Sequence, residues 1–246
     1  MKKIIVAFLS LILLISCSSS DSSAVSSAIL VKKSIHTNED GTIETSLTTY
    51  NGNKIVKLSN DTGFNFEFTY TGELITIMKI FQGSTLFGTT TYSYNSLGEL
   101  SEYVQLILPY NLGTQIIYTH NADGSIDFTR TTGDLVSQTQ NPINGKLVFS
   151  NGEIIRQETY ETGATSVVNY TYDNKMNPAQ NITGFTKIAF TQEFMNGFTH
   201  NILSEQHVNN SSNNVSHVYQ YNANDYPTLD TQTSSTGVST TAFYYE

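Results

Sequence analysis

The chain has no tryptophan, one cysteine, and only 12 Lys and Arg among its 246 residues. Each shortage excludes something. A single Cys rules out an intramolecular disulfide framework and any Cys-rich zinc site. Sparse basic residues, set against 21 Asp and Glu and a net charge of -9, exclude a nucleic-acid partner, because phosphate contacts need Lys and Arg. The absence of Trp weakens any carbohydrate-stacking platform. Helical periodicity is nearly absent, and no second apolar run of membrane-spanning length follows the N-terminal one.

That N-terminal run is present and informative. Lys2 and Lys3 precede an apolar stretch from Ile4 to Ile15, interrupted only by Ser10. It is too short for an ordinary span of ~20 residues and fits the apolar region of a secretory signal. The stretch ends in Leu14-Ile15-Ser16-Cys17, which looks like a bacterial lipobox, and the chain's sole Cys sits where a lipobox requires it. The Ser-rich tract that follows cannot bury a core. The expected organisation is a lipoprotein signal peptide over residues 1–16, a Ser-rich tether over 17–28 with lipidated Cys17, and a single antiparallel β domain over 29–246. Acyl chains such as palmitate on Cys17 would hold the mature protein to a membrane, at ~0.8 kcal/mol per buried CH₂.

From about residue 28 apolar and polar residues alternate with period two. Phe64, Phe66, Phe68 and Tyr70 share one face, and Asn65, Glu67 and Thr69 share the other. Such a strand buries one face and wets the other. Asn51-Gly52, Asp123-Gly124, Asn144-Gly145 and Asn151-Gly152 read as hairpin turns, since these dipeptides supply positive φ. Alternation is lost after Asn177-Pro178, around Ala179 to Met195, which reads as an irregular excursion with at most a short helix.

A degenerate unit recurs: aromatic-x-aromatic, turn residues, Gly-x-aliphatic. It runs Phe68-Thr69-Tyr70-Thr71-Gly72-Glu73-Leu74, then Tyr92-Ser93-Tyr94 with Gly98-Glu99-Leu100, then Tyr118-Thr119-His120 with Gly124-Ser125-Ile126. Leu147-Val148-Phe149 with Gly152-Glu153-Ile154 is a weaker copy. The glycines are spaced 26, 26 and 28 residues apart, one hairpin per repeat. Repeated hairpins make a meander, which must curl, close or be covered at its edges. The expected fold is therefore all-β: a large antiparallel meander of repeated hairpins, curled or closed into a soluble barrel-like sheet. The apolar faces also admit a membrane-spanning barrel, but polar faces rich in Thr and Asn argue for aromatics pointing inward.

The repeated unit resembles the YD-repeat pattern. The C-terminal half carries a more specific likeness. Tyr172-Asp173-Asn174-Lys175-Met176-Asn177-Pro178 precedes the excursion, Tyr219-Gln220-Tyr221-Asn222-Ala223-Asn224-Asp225-Tyr226-Pro227 follows it, and a last hairpin ends in Tyr244-Tyr245. This order is similar to a family of uncharacterised Bacteroidota lipoproteins with a porin-like β fold. The resemblance implies outer-membrane anchoring. It brings no catalytic residues.

Candidate chemistry is thin. His36, His120, His200, His207 and His217 show no metal-ligand spacing. Asn121, Asp123, Ser125 and Asp127 alternate as oxygen donors like a calcium loop, but the Gly is misplaced for an EF-hand and a hairpin turn explains the same residues. Glu99 with Glu102, and Glu158 with Glu161, are carboxylate pairs that nothing places across a cleft. No nucleophile elbow occurs. The residues imply no cofactor, no metal site and no catalytic set. The reading that follows is a lipid-anchored cell-envelope protein, a non-enzymatic β scaffold or binding module at the outer membrane. Its partners would be the membrane through Cys17 and an envelope protein or glycan. The alternative is an envelope hydrolase acting on glycan or ester, and a deep cleft where carboxylates and a His converge would favour it.

Overall fold

β-branched and aromatic side chains fit a pleated, half-buried surface, and the alternating segments all become strands. The computed structural model describes residues 28–191 and 198–246. Cys17, the signal segment and most of the tether lie outside the described residues. The strands are β1 (Val31–Thr37), β2 (Ile43–Asn51), β3 (Lys54–Asn60), β4 (Phe64–Thr71), β5 (Leu74–Gln82), β6 (Thr85–Tyr94), β7 (Leu100–Ile107), β8 (Leu112–His120), β9 (Ile126–Gly133), β10 (Gln140–Ser150), β11 (Glu153–Glu161), β12 (Ala164–Tyr172), β13 (Ile202–His207), β14 (Val215–Tyr221), β15 (Pro227–Thr233) and β16 (Val238–Tyr245). Sequence neighbours are antiparallel neighbours in space. Alternation alone does not decide whether a meander closes; here β1 pairs with β16 from Val31↔Tyr245 to Thr37↔Thr240, so the described residues close one sixteen-stranded barrel. One expected turn is corrected: Asn144-Gly145 lies inside β10, where a Cβ on Gly145 would stand 2.2 Å from the Phe128 ring. That glycine makes room for an aromatic and turns nothing.

One end of this barrel explains the repeated unit. At that end the register slips by one residue where each odd strand begins. The extra residues are Lys32, Val56, Thr76, Ser101, Ile155, Leu203 and Thr228, on β1, β3, β5, β7, β11, β13 and β15. Such a bulge bends the strand and takes a backbone group out of the ladder. An aromatic on the next even strand meets that group. Tyr50 donates to the Val31 carbonyl at 2.9 Å, Tyr94 to Ile75 at 2.6 Å, Tyr172 to Ile154 at 2.8 Å, Tyr219 to Ile202 at 2.9 Å and Tyr245 to Pro227 at 2.7 Å. His120 Nε2 lies 2.8 Å from the Leu100 carbonyl, and the Tyr70 hydroxyl accepts from the Ile55 N–H at 3.1 Å. β9 is the exception. It pairs with β8 in regular register through His120↔Ile126, and the aromatic that would reach it is Phe149, which has no hydroxyl.

The excursion between β12 and β13 fills this same end. Ile182, Phe185, Ile188, Phe190 and Phe198 join one buried cluster with Ile55, Ile75, Leu100, Ile126, Ile154 and Ile202, the residues that open the odd strands. Phe190 meets Tyr118 edge-on at 5.1 Å. Polar ties fix it to the turns. The Thr183 N–H donates to Asn53 O at 3.0 Å, and Asn181 donates to Ile29 O at 3.0 Å. The buried Glu153 carboxylate accepts the N–H groups of Phe198, Thr199 and His200 at 2.8–2.9 Å. Asp173 accepts from the Asn201 N–H at 3.0 Å and from the Tyr221 hydroxyl. Gly184 sits at φ +75° with the Glu73 carbonyl 2.5 Å from where a Cβ would stand, so only glycine fits there. The expected irregular excursion is thus a plug, whose described residues include a 3₁₀ turn at Phe185–Lys187.

The outer wall carries charge in mid-strand. Lys57, Glu67 and Lys79 face one another across β3, β4 and β5, and Asp127, Lys146 and Glu158 across β9, β10 and β11. Lys146 pairs with Asp127 at 3.5 Å and Arg156 with Glu158 at 2.6 Å. A lipid-facing band would be charged at these positions at ~2–4 kcal/mol per Lys or Arg near the bilayer midplane. The Phe64–Tyr70 face turns inward and packs against the core.

Candidate functional site

Inside the barrel, the alternate residues of each strand form its inner face, and the two sides of the barrel differ. From β4 to β8 the inner face sets Phe66 beside Ile80, Phe68 beside Met78, and Tyr92 beside Tyr103 and Ile116, with the smaller Gly88 and Thr90 opposite Ile80 and Met78 and with Gln105 and Thr114 following Thr90. From β14 through β16 to β2 it holds His217, Asp230, Gln232, Ser239, Thr241, His36, Glu44 and Ser46. Long apolar chains fill the first side. Short polar chains leave space on the second.

That space is a cavity of ≈ 270 Å³ between the plug and the wall from β13 to β16. Pro178 and Phe185 of the plug bound it on one side, and Glu205, His217, Tyr219, Asp230 and Phe243 on the other. His217 Nδ1 lies 3.1 and 3.0 Å from the two Asp230 oxygens, and its ring stacks on Tyr219 at 5.9 Å. Glu205 is half-buried, and its carboxylate makes no hydrogen bond or ion pair among the described residues. Burial pushes its carboxyl above the ordinary range, and His217 and His207 pull it part of the way back. Burial likewise raises the Tyr219 phenol, so that hydroxyl stays protonated and donates to Ile202 O.

A second cavity of ≈ 510 Å³ lies toward the unplugged end, lined by His36, Asn38, Glu39, Asp40, Gln232 and Ser239. Gln232 borders both cavities. So does a hydrogen-bonded pair: Thr241 lines the inner cavity, His36 the outer, and His36 Nδ1 lies 3.0 Å from Thr241 Oγ1. The mouth is acidic, with Glu39 and Asp40 on its rim and Glu44 opposite His36.

The structure distributes the residues singled out in the sequence unevenly. His217 and His36 reach the lumen. His120 serves the Leu100 carbonyl, and His200 lies 3.2 Å from Glu153 as part of the plug's fastening. Asn121, Asp123 and Ser125 form a closed turn in which Asp123 Oδ1 accepts the Ser125 N–H and hydroxyl at 2.9 and 2.6 Å, while Asp127 turns outward to Lys146. That hydrogen bonding, chiefly from Ser125, holds the Asp123 carboxyl below its ordinary range. Glu99 belongs to a turn with Asn95, Glu102 accepts from Gln115 on the barrel wall, and Glu158 is held by Tyr160 and Arg156. None of these carboxylates lines the lumenal cavity. Sequence reasoning missed Glu205, Asp230 and Gln232. Their signal was available: they continue the inward alternate positions beside His217 and Tyr219.

No family model and no curated protein matches the chain. Among solved structures it is similar to a porin-like protein from Bacteroides vulgatus, with TM-score 0.57 and 16% identity, covering 89% of this chain and 99% of that one. It is also similar to a porin-like protein from Bacteroides uniformis, with TM-score 0.54 and 12% identity, covering 88% of this chain and 96% of that one. At such identities the likeness shows the fold, a porin-like all-β barrel.

Proposed function

We propose that the protein is a lipid-anchored binding module of the cell envelope, tethered at the outer membrane through Cys17, whose barrel holds a ligand or partner and performs no chemistry. The observation that carries this reading is the layout of the barrel: one end plugged, and toward the other a polar cavity that shares Gln232 with the lumenal one. The fold likeness to porin-like proteins of Bacteroides supports an envelope location. The mid-strand charges on the outer wall favour a barrel in water, with the membrane reached by lipid. The chain enters at the plugged end, where Leu30 and Glu246 exchange backbone hydrogen bonds at 3.2 Å. Ten residues separate Cys17 from Ala28, so an anchor at Cys17 keeps that end within at most ~40 Å of the bilayer.

Metabolic labelling with radioactive palmitate tests the anchor. The full chain should take up label and fractionate with outer membranes, and Cys17→Ala should lose the label and move to the soluble fraction. A Cys17→Ala protein that stays in the membrane overturns the reading.

The meeting of Glu205, His217 and Asp230 in one cavity favours a second reading, an envelope hydrolase. Against it, the hydrogen bonds of His217 run to Asp230 alone among the described residues, so no hydroxyl or thiol is poised on its ring. Turnover of a panel of envelope esters and glycosides that disappears in Asp230→Asn would establish the hydrolase instead.

A further inference from the structure

We propose that the inner cavity is a binding site for a small organic cation, an amine or quaternary ammonium whose charged head meets Glu205 and whose apolar part packs against Phe185 and Phe243. The inference rests on the binding-module reading and names the class of ligand.

Charge decides the sign. Among the described residues, neither cavity is lined by Lys or Arg. An anionic ligand would find no fixed counter-charge there and would meet carboxylates in both. The mouth presents Glu39 and Asp40, and the floor presents Glu205 and Asp230. Clefts lined by one sign of charge concentrate the opposite ion. Asp230 is occupied by His217, whereas Glu205 has no partner among the described residues. A half-buried carboxylate left without a partner is costly, and a bound cation would satisfy it.

Size and lining decide the rest. At ≈ 270 Å³ the cavity falls just below the ~300–1,000 Å³ of drug-sized sites, so the ligand is small. Phe185, Phe243 and Tyr219 line the cavity together with Glu205, and aromatic rings with a carboxylate are the combination that recognises ammonium groups. A bare metal ion would leave these rings unused.

The groups facing Glu205 set the pH response. His217 on β14 and His207 on its own strand act on it, and its charge in turn helps raise the phenols of Tyr170 and Tyr172 on β12 and of Tyr219 on β14. Burial raises the Glu205 carboxyl, so on acidification it takes a proton earlier than an ordinary glutamate does. That protonation weakens cation binding as pH falls.

Calorimetric titration of the full chain with 2-phenylethylamine, 2-phenylethanol and phenylacetate holds shape nearly constant while charge changes sign. The amine should bind at least ~10-fold more tightly than the alcohol, as a charge-assisted contact warrants, and the carboxylate should not bind. Glu205→Gln should bring the amine down to the alcohol's affinity and leave the alcohol unchanged. In the unaltered chain, amine affinity should fall on acidification, beginning at a higher pH than an ordinary glutamate would give, which needs no variant to fold. Equal binding of amine and alcohol, indifference to Glu205→Gln, or no heat with any of the three overturns the proposal. The failures separate: binding without charge preference removes only the cation assignment, whereas turnover of esters or glycosides in the same preparation removes the binding-module reading.

Discussion

On the β4–β8 side of the barrel, Phe66, Met78, Tyr92, Tyr103 and Ile116 face inward, and most of them are nearly inaccessible to solvent. On the β14–β2 side, the matching positions hold His217, Asp230, Thr241, His36 and Ser46, and of the inward residues on β16, β1 and β2 only Ser239 is fully buried. Yet both sides use the same hairpin, the same one-residue bulge and the same aromatic reaching the bulged backbone. What holds the barrel together is therefore concentrated at the plugged end and shared by both sides. The inner face above it is free to differ, packed on one side and hollow on the other.

The largest expected effect attacks the packed side. Ile75 is completely buried beneath the plug. Ile75→Ala should cost about 2–5 kcal/mol, through lost burial and the cavity left behind. Thr241→Ala on the hollow side removes one hydroxyl bonded to His36 and should cost about 1 kcal/mol or less. Denaturant unfolding of both variants measures the contrast. Equal losses would mean that the polar wall contributes as much to stability as the apolar one.

A smaller effect attacks the fastening common to both. Glu153→Gln leaves one carbonyl oxygen where two charged oxygens accept three plug N–H groups. Charge assistance and an acceptor are lost, for about 2–3 kcal/mol. Amide hydrogen exchange should quicken at Phe198 and Thr199 while the amides of β14–β16 keep their protection. Uniform quickening around the barrel would show that plug and wall unfold as one unit.

These three variants also mark what a reader of the sequence can and cannot see. The strand at Phe64–Tyr70, the turn at Asp123-Gly124 and the 26-residue rhythm are local, because period two and Asn-Gly or Asp-Gly chemistry act over a few residues. Closure is not local: it rests on Val31 meeting Tyr245, ends of the chain that no spacing connects. The plug was visible only as a loss of alternation, since its Ile182, Phe185 and Ile188 share one buried cluster with residues from six strands and need no period of their own. The cavity residues Glu205, His217 and Asp230 come from three strands and read, one at a time, as ordinary polar strand positions. Bulges hide for a different reason. An extra Val56 or Leu203 shifts the phase by one residue and still looks like a β-former.

The smallest effect tests the bulge itself, by exchanging hydroxyls between two repeats. Tyr94 donates to the bulged Ile75 carbonyl at 2.6 Å, and Tyr94→Phe should cost about 1 kcal/mol, the net worth of one such bond plus the carbonyl left without it. Phe149 stands at the equivalent place beside β9, where the register has no extra residue, and its ring packs 5.9 Å from Phe198. If the hydroxyl is needed because the bulge frees a carbonyl, Phe149→Tyr gains nothing, and a hydroxyl placed against the plug's aromatic cluster should be neutral or cost about 1 kcal/mol. The pair of midpoints in urea therefore separates two explanations of the repeat. A gain in Phe149→Tyr equal to the loss in Tyr94→Phe would make the tyrosine a general stabiliser of every hairpin, with the bulge incidental. A loss at Tyr94 with no gain at Phe149 ties the aromatic to the bulge, and makes the missing bulge on β9 the reason that repeat reads Leu-Val-Phe where its neighbours end in Tyr or His.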